Sequence, residues 1–152
     1  YIFQKGFNFS QDGPGNRLVY HLAGCGLRCP WCSNPEGKNR NGGKEVSVEE
    51  VVEEALRSRP MFFSGGGVTL TGGEVTEQWN AVAALLKRLK EEGIHTCIET
   101  NGTHPRLPQL SSLVDYLIMD LKHYDDARHR EIIGCTNRRL LENIRQLGQG
   151  RG

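Results

Sequence analysis

The sequence predicts an α/β fold with a parallel sheet, and three observations predict it. Short strand-like apolar runs alternate with helical segments, strand then helix, four times along the chain. The 152 residues suffice for one core but not for two ordinary domains, so residues 1–152 are expected to form a single domain. Each predicted strand is also followed, at its C-terminal end, by an unusual polar motif, and parallel sheets bind ligands at that end.

The elements follow in order. The first seventeen residues are polar and contain a Gly13-Pro14-Gly15 turn. Leu18 to Leu22 reads as a strand leading into a cysteine loop, and Lys38 to Lys44 as a polar loop rich in Gly and Asn. Ser47 and Glu50 form a capping box, after which Val48, Val51, Val52, Ala55 and Leu56 line one helical face. Gly65-Gly66-Gly67 breaks the chain before a strand at Val68-Thr69-Leu70. Thr76 is the expected cap of a second helix, with Trp79, Val82, Ala83, Leu86 and Leu89 on its apolar face and Gly93 closing it. His95 to Ile98 and Tyr116 to Met119 read as strands, with only a short or irregular helix over 105–113. Thr136 caps a last helix that carries Leu140, Leu141, Ile144 and Leu147 on one face and is followed by Gly148.

Composition excludes several classes of function. Nineteen Lys and Arg stand against eighteen Asp and Glu, a formal charge of +1, which gives no electrostatic case for nucleic acid or an anionic membrane. No run of eighteen apolar residues and no secretory signal is seen, so a cytoplasmic location is expected, and the start at Tyr1 leaves room for residues upstream. Sequons at Asn8 and Asn101 are chance matches in that setting.

Five cysteines, three of them clustered, point to metal or redox chemistry rather than a disulfide framework. The loop is GCGLRCPWCSNPEG, with Cys25, Cys29 and Cys32. Structural zinc would need a fourth ligand, and His21 is the nearest candidate, but it sits in a predicted strand where packing away from the loop is the plain expectation. A [4Fe–4S] cluster fits better: three irons take protein thiolates and the fourth stays open for another ligand.

This cysteine spacing, with an aromatic residue before the last thiol, resembles the signature of the radical S-adenosylmethionine (SAM) enzymes. DGPGNR from Asp12, the Gly42–Glu74 stretch, GIHTCIETNG from Gly93 and MDLK from Met119 are similar to the glycyl-radical-enzyme activating enzymes, the pyruvate formate-lyase activase group. The similarity runs from about Asp12 to about Leu147. It implies a (β/α) barrel of the radical SAM type, of which about four βα units are present here. It also implies a [4Fe–4S] cluster on Cys25, Cys29 and Cys32, and SAM cleaved reductively to a 5′-deoxyadenosyl radical that takes hydrogen from a glycine of a partner glycyl radical enzyme. Flavodoxin or ferredoxin is the implied electron donor. By the same resemblance Gly72, Gly73 and Glu74 bind the SAM ammonium, Trp31 lies near the adenine, and Lys122 reaches the SAM carboxylate. Asn34 and Asn101 fall in the same cofactor-binding motifs. Glu99 and Asp120 match positions that help to bind SAM and a monovalent cation, with Glu99 standing where that relative has aspartate. Asp12 and Cys97 match positions near the partner's peptide. Cys135 has no implied role and is expected to be structural.

The departures are a short Asn34–Gly42 loop where many activases carry a ferredoxin-like insert, and an end at Gly152 where activases continue for two more strand–helix units. A fragment or a minimal member is expected, with a wider site, an unpaired edge on the last strand, and weaker SAM binding than in a full-length relative. Two other functions are weighed beside this one. One is the activase of anaerobic ribonucleotide reductase; the other is a non-catalytic iron–sulfur or zinc-binding module, which would leave the motifs on the later strands without purpose.

Overall fold

The computed structural model of the protein describes residues 1–149. One sheet holds five strands in the order β1 (Ile2–Asn8), β2 (Arg17–Leu22), β3 (Gly67–Gly72), β4 (Thr96–Thr100) and β5 (Tyr116–Met119). The last four run parallel, as the alternation predicts, while β1 pairs antiparallel with β2. Helices α1 (Val48–Arg57), α2 (Trp79–Glu91) and α3 (Leu107–Ser111) follow β2, β3 and β4. A pair, α4 (Asp126–Ile133) and α5 (Arg138–Gln149), follows β5. The four parallel βα units form an open, partial barrel.

The capping box of α1 is present: Glu50 N–H donates to Ser47 Oγ at 3.1 Å and Ser47 N–H to the Glu50 carboxylate at 2.7 Å. Four expectations change. β1 occupies a stretch that reads as polar and turn-forming, because it is an edge strand whose middle residues, Gln4 to Phe7, are exposed. α4 escapes a periodicity search because only His129 and Ile133, one turn apart, are buried on it. It is set instead by its caps: Asp125 accepts from Arg128 N–H, and Gly134 ends it at φ +101°. Thr76 does not cap α2. It lies in a 3-10 turn, Val75–Gln78, and both its N–H and its hydroxyl are drawn to the Glu74 carboxylate. α5 runs through Gly148, and its buried row is Leu140 and Asn143, with Leu141, Ile144 and Leu147 half-buried.

Alternation along the strands gives the sheet two unlike faces. Leu18, Tyr20, Leu22, Val68, Leu70 and Ile98 face the helices and pack with Val51, Val52 and Ala55 of α1 and Val82, Leu86 and Leu89 of α2. The alternate residues, Arg17, Val19 and His21 on β2, Thr69 and Thr71 on β3, and Cys97 and Glu99 on β4, form the inner face. The turn after β1 folds over the lower part of that face. Asp12, at φ +65°, receives the Thr69 hydroxyl on its carbonyl at 2.6 Å. Arg17, fully buried, donates from Nε to the same hydroxyl at 3.0 Å and from its other nitrogens to the carbonyls of Val68 and Pro14. A buried guanidinium with its donors filled in this way fixes the turn against the sheet.

Candidate active site

The ends of β2 and β3 are joined by backbone contacts that only glycine permits. Gly73 N–H donates to the Leu22 carbonyl at 2.9 Å and Glu74 N–H to the Gly24 carbonyl at 2.7 Å. A Cβ on Gly73 would lie 2.4 Å from the Gly24 carbonyl oxygen, and one on Gly72, at φ +134°, 2.3 Å from that of Leu22. The two glycines thus press the end of β3 against the start of the cysteine loop. Glu74, 3% exposed, then ties this turn to the end of β4. Its Oε1 accepts from Thr76 N–H at 3.1 Å, the Thr76 hydroxyl at 2.7 Å and the Thr100 hydroxyl at 2.6 Å, and its Oε2 accepts from Asn101 N–H at 2.8 Å. Oε2 keeps a lone pair for a further donor.

Two helices support the site from behind. The Ile133 carbonyl at the end of α4 accepts Arg28 N–H at 3.1 Å, inside the cysteine loop. Asn143 of α5 donates to the carbonyls of Gly102 and His104 at 2.8 and 3.0 Å, holding the loop after β4. Neither contact is legible in the sequence: an Asn on a helix reads as solvated, and Arg28 reads as a loop charge.

These contacts enclose a cavity of about 470 Å³ at the C-terminal ends of β2 to β5. Cys25, Cys29, Trp31, Cys32 and Asn34 line it from the cysteine loop. Gly72, Gly73 and Glu74 line it from β3, Glu99 and Asn101 from β4, and Asp120 and Lys122 from the end of β5. Asp12 reaches it from the turn after β1. Cys97 is the exception: it is 0% exposed beneath Gly13, whose Cβ would lie 3.1 Å from its Sγ. Cys135 stays outside as well; its carbonyl accepts the His129 Nδ1–H at 2.6 Å. Trp31 is 53% exposed at the mouth rather than packed. His21 corrects an expectation. Instead of packing away from the loop it lines the cavity, because it shares strand parity with Arg17 and Val19 on the inner face.

Among the described residues the cavity holds one ion pair and several carboxyls without a cationic partner. Lys122 donates to Asp120 at 2.8 Å. Burial pulls its ammonium down, but Asp120 and the nearby Cys29 and Cys25 outweigh this and hold it above its ordinary value. Glu99 accepts the Thr71 hydroxyl at 2.8 Å. Burial, then the adjoining Asp12 carboxyl and the Asp120 charge, push it up to about 7 against that hydrogen bond. Burial also raises the Cys25 thiol, with Glu74 and the other two thiols adding to the effect, so a metal would displace its proton on binding.

The sequence model of the Radical SAM superfamily matches residues 19–150. The chain belongs to the radical SAM superfamily. It is 45% identical over 141 residues to the pyruvate formate-lyase-activating enzyme of Clostridium pasteurianum, covering 88% of this chain and 59% of that one. It is 40% identical over 141 residues to the pyruvate formate-lyase 1-activating enzyme of Escherichia coli strain K12, covering 90% of this chain and 57% of that one. The chain therefore spans less than two thirds of the length of either relative. Among solved structures, Streptococcus suis SuiB bound to precursor peptide SuiA superposes with a TM-score of 0.68 at 19% identity, over 86% of this chain and 29% of that one. SuiB bound to S-adenosylmethionine gives 0.65 at 18% identity, over the same shares. These two support the fold.

Radical SAM membership implies a [4Fe–4S] cluster and SAM, and the donor set fits them. Three thiols face one cavity. Among the described residues no three His, Cys, Asp or Glu side chains lie close enough to hold a single metal ion. A lone zinc would draw its thiolates together on bonds of about 2.3 Å, whereas a cluster receives each thiolate on a separate iron. No helix among the described residues is long and apolar enough to cross a membrane.

Proposed function

We propose that this chain carries the catalytic core of a glycyl-radical-enzyme activase of the pyruvate formate-lyase type. The observation that carries the proposal is the convergence of the three thiols, the Gly72-Gly73-Glu74 turn and the Asp120–Lys122 pair on one cavity. The 45% identity to a lyase-activating enzyme favours this partner class over the ribonucleotide reductase type. When bound, the cluster supplies the electron that splits a carbon–sulfur bond of SAM into methionine and a 5′-deoxyadenosyl radical.

The chain's own residues bind and orient. Cys25, Cys29 and Cys32 would hold the cluster. The open lone pair of Glu74 Oε2 suits the SAM ammonium, and the hydrogen bonds that pin Glu74 fix where that ammonium sits. Lys122 suits the carboxylate and would exchange Asp120 for it as SAM enters. Trp31 offers a free aromatic face at the mouth, suited to adenine. A monovalent cation at Glu99 and Asp120 would have to compete with Lys122 for Asp120 and with the proton on Glu99. Asp12 faces the same space and is a peptide contact in this proposal. Cys97 acts beneath Gly13, as support for that turn. A reducing cytoplasm with a flavodoxin or ferredoxin donor suits five free thiols and a low-potential cluster.

The test is direct. Anaerobically reconstituted protein should bind about four irons per chain, form 5′-deoxyadenosine from SAM after reduction, and raise a glycyl-radical resonance on a lyase-type partner. A colourless protein that never cleaves SAM would defeat the proposal.

A further inference from the structure

The cavity is chemically divided. Of its charged groups, Glu74, Glu99, Asp120 and Lys122 come from the ends of β3, β4 and β5, and Asp12 alone among the lining residues comes from the turn after β1. The opposite wall, built by β1, its turn and β2, presents the uncharged Gln4, Gln11 and His21 around a single carboxylate, Asp12, with Asn8 beside it. Asn8 is engaged within the turn, donating to the Asp12 carboxylate at 2.7 Å and accepting Ser10 and Gln11 N–H at 3.1 and 3.3 Å. Among the described residues, the carboxamides of Gln4 and Gln11 make no such bond.

His21 is the fixed point of this wall. A bulge in β1 between Ile2 and Gln4 inserts Phe3, whose ring packs on the imidazole with centroids 5.7 Å apart. Phe3 is held in turn against Gly37, where a Cβ would meet the ring at 2.4 Å. Among the described residues His21 Nδ1 is buried without a hydrogen-bond partner, which leaves Nε2 as the ring nitrogen available to the cavity that His21 lines. Burial holds the imidazole below its ordinary value and hence neutral. With no acceptor at Nδ1, its single proton belongs on Nε2.

Resting on the activase assignment, we propose that this wall, with His21 Nε2–H as its donor, binds the backbone of an extended, uncharged peptide segment of the partner and so positions the target glycine. SAM carries an ammonium, a carboxylate and a sulfonium and belongs at the charged end. A peptide backbone offers one carbonyl and one N–H per residue, which carboxamides and a neutral imidazole match. Glycine, lacking a side chain, leaves that backbone open to close approach.

The test uses reconstituted chain with SAM and the blocked peptide acetyl-Ala-Ala-Gly-Ala-Ala-amide, followed by calorimetric titration and by transfer of deuterium from a dideuterated glycine into 5′-deoxyadenosine. His21→Phe keeps the packing on Phe3 and should weaken peptide binding about five- to ten-fold, the loss of one neutral hydrogen bond. Its effect on SAM affinity should be several-fold smaller. His21→Gln, which returns an N–H near the place of Nε2, should restore most of the peptide affinity. Equal peptide binding by wild type and His21→Phe overturns the proposal, as does a variant that loses SAM rather than peptide. Wild type that cleaves SAM but has no affinity for the peptide overturns this inference alone. Wild type that takes up no cluster and cleaves no SAM defeats the activase assignment itself.

Discussion

The two faces of the sheet are built from neighbouring residues of the same strands, yet they do different work. On β2, Leu18, Tyr20 and Leu22 are sealed under α1 and α2, while Arg17, Val19 and His21, one position out of phase, face the cavity side. On β3 the pair Val68 and Leu70 alternates with Thr69 and Thr71 in the same way. The helix-side face carries apolar burial and so the stability. The inner face carries a buried Arg17, a carboxyl raised to about 7 at Glu99 and an unpartnered imidazole nitrogen at His21. Groups of that kind cost stability: Glu99 and His21 line the cavity, and Arg17 holds the turn after β1 against the sheet.

Substitutions can break this division, and the largest effect belongs to the site. Cys29→Ala should abolish iron uptake and SAM cleavage while urea unfolding of the cluster-free protein shifts by no more than about 1 kcal/mol. Iron retained at wild-type level in that variant would refute the ligand assignment. Leu70→Ala, on the helix-side face at 0% exposure, should do the reverse. It should cost about 2–5 kcal/mol in urea unfolding, and the fraction still folded should take up iron normally. Gly73→Ala sits where the faces meet. Its Cβ would collide with the Gly24 carbonyl, so about 1–3 kcal/mol and part of the iron uptake should be lost together. A loss of stability with full iron uptake would show that the cysteine loop does not depend on that contact.

The smallest effect is a pH dependence. The folded protein holds the Glu99 proton up to about 7, above the ordinary 4.5, so the native state binds more protons than the unfolded chain between those values. The stability this contributes is complete at low pH and is lost as pH rises through 7. Melting temperatures of the cluster-free protein should fall between about pH 4.5 and pH 7, and Glu99→Gln should flatten that slope. An unchanged slope would place the titration elsewhere.

Much of this was legible in the sequence for identifiable reasons. The box at Ser47 and Glu50, the apolar rows of α1 and α2 and the parallel order of β2 to β5 follow from local spacing, and the structure has them. The cysteine loop, Gly72-Gly73-Glu74, Glu99, Asn101, Asp120 and Lys122 stand out as polar motifs after strands, and one cavity gathers them. What local spacing hides are elements whose stability comes from partners far along the chain. β1 is exposed and polar in its middle, and it exists because β2 supplies its ladder. α4 has too few apolar residues to signal a helix and is fixed by its caps and by Arg28.

The sequence by itself determined the fold class, the superfamily and most of the side chains that meet at the site, because these depend on periodicity and on motifs short enough to read directly. Only the tertiary structure decided which face each strand residue takes and which carboxylates are already engaged. Glu74 reads as a free acid beside two glycines, and folding surrounds it with Thr76, Thr100 and Asn101. His21 reads as a strand residue packed away from the loop, and strand parity with Arg17 turns it into the cavity. The physical reason is the same in both cases: a polar group's role is set by the partners it meets across the sheet, and those partners lie tens of residues away.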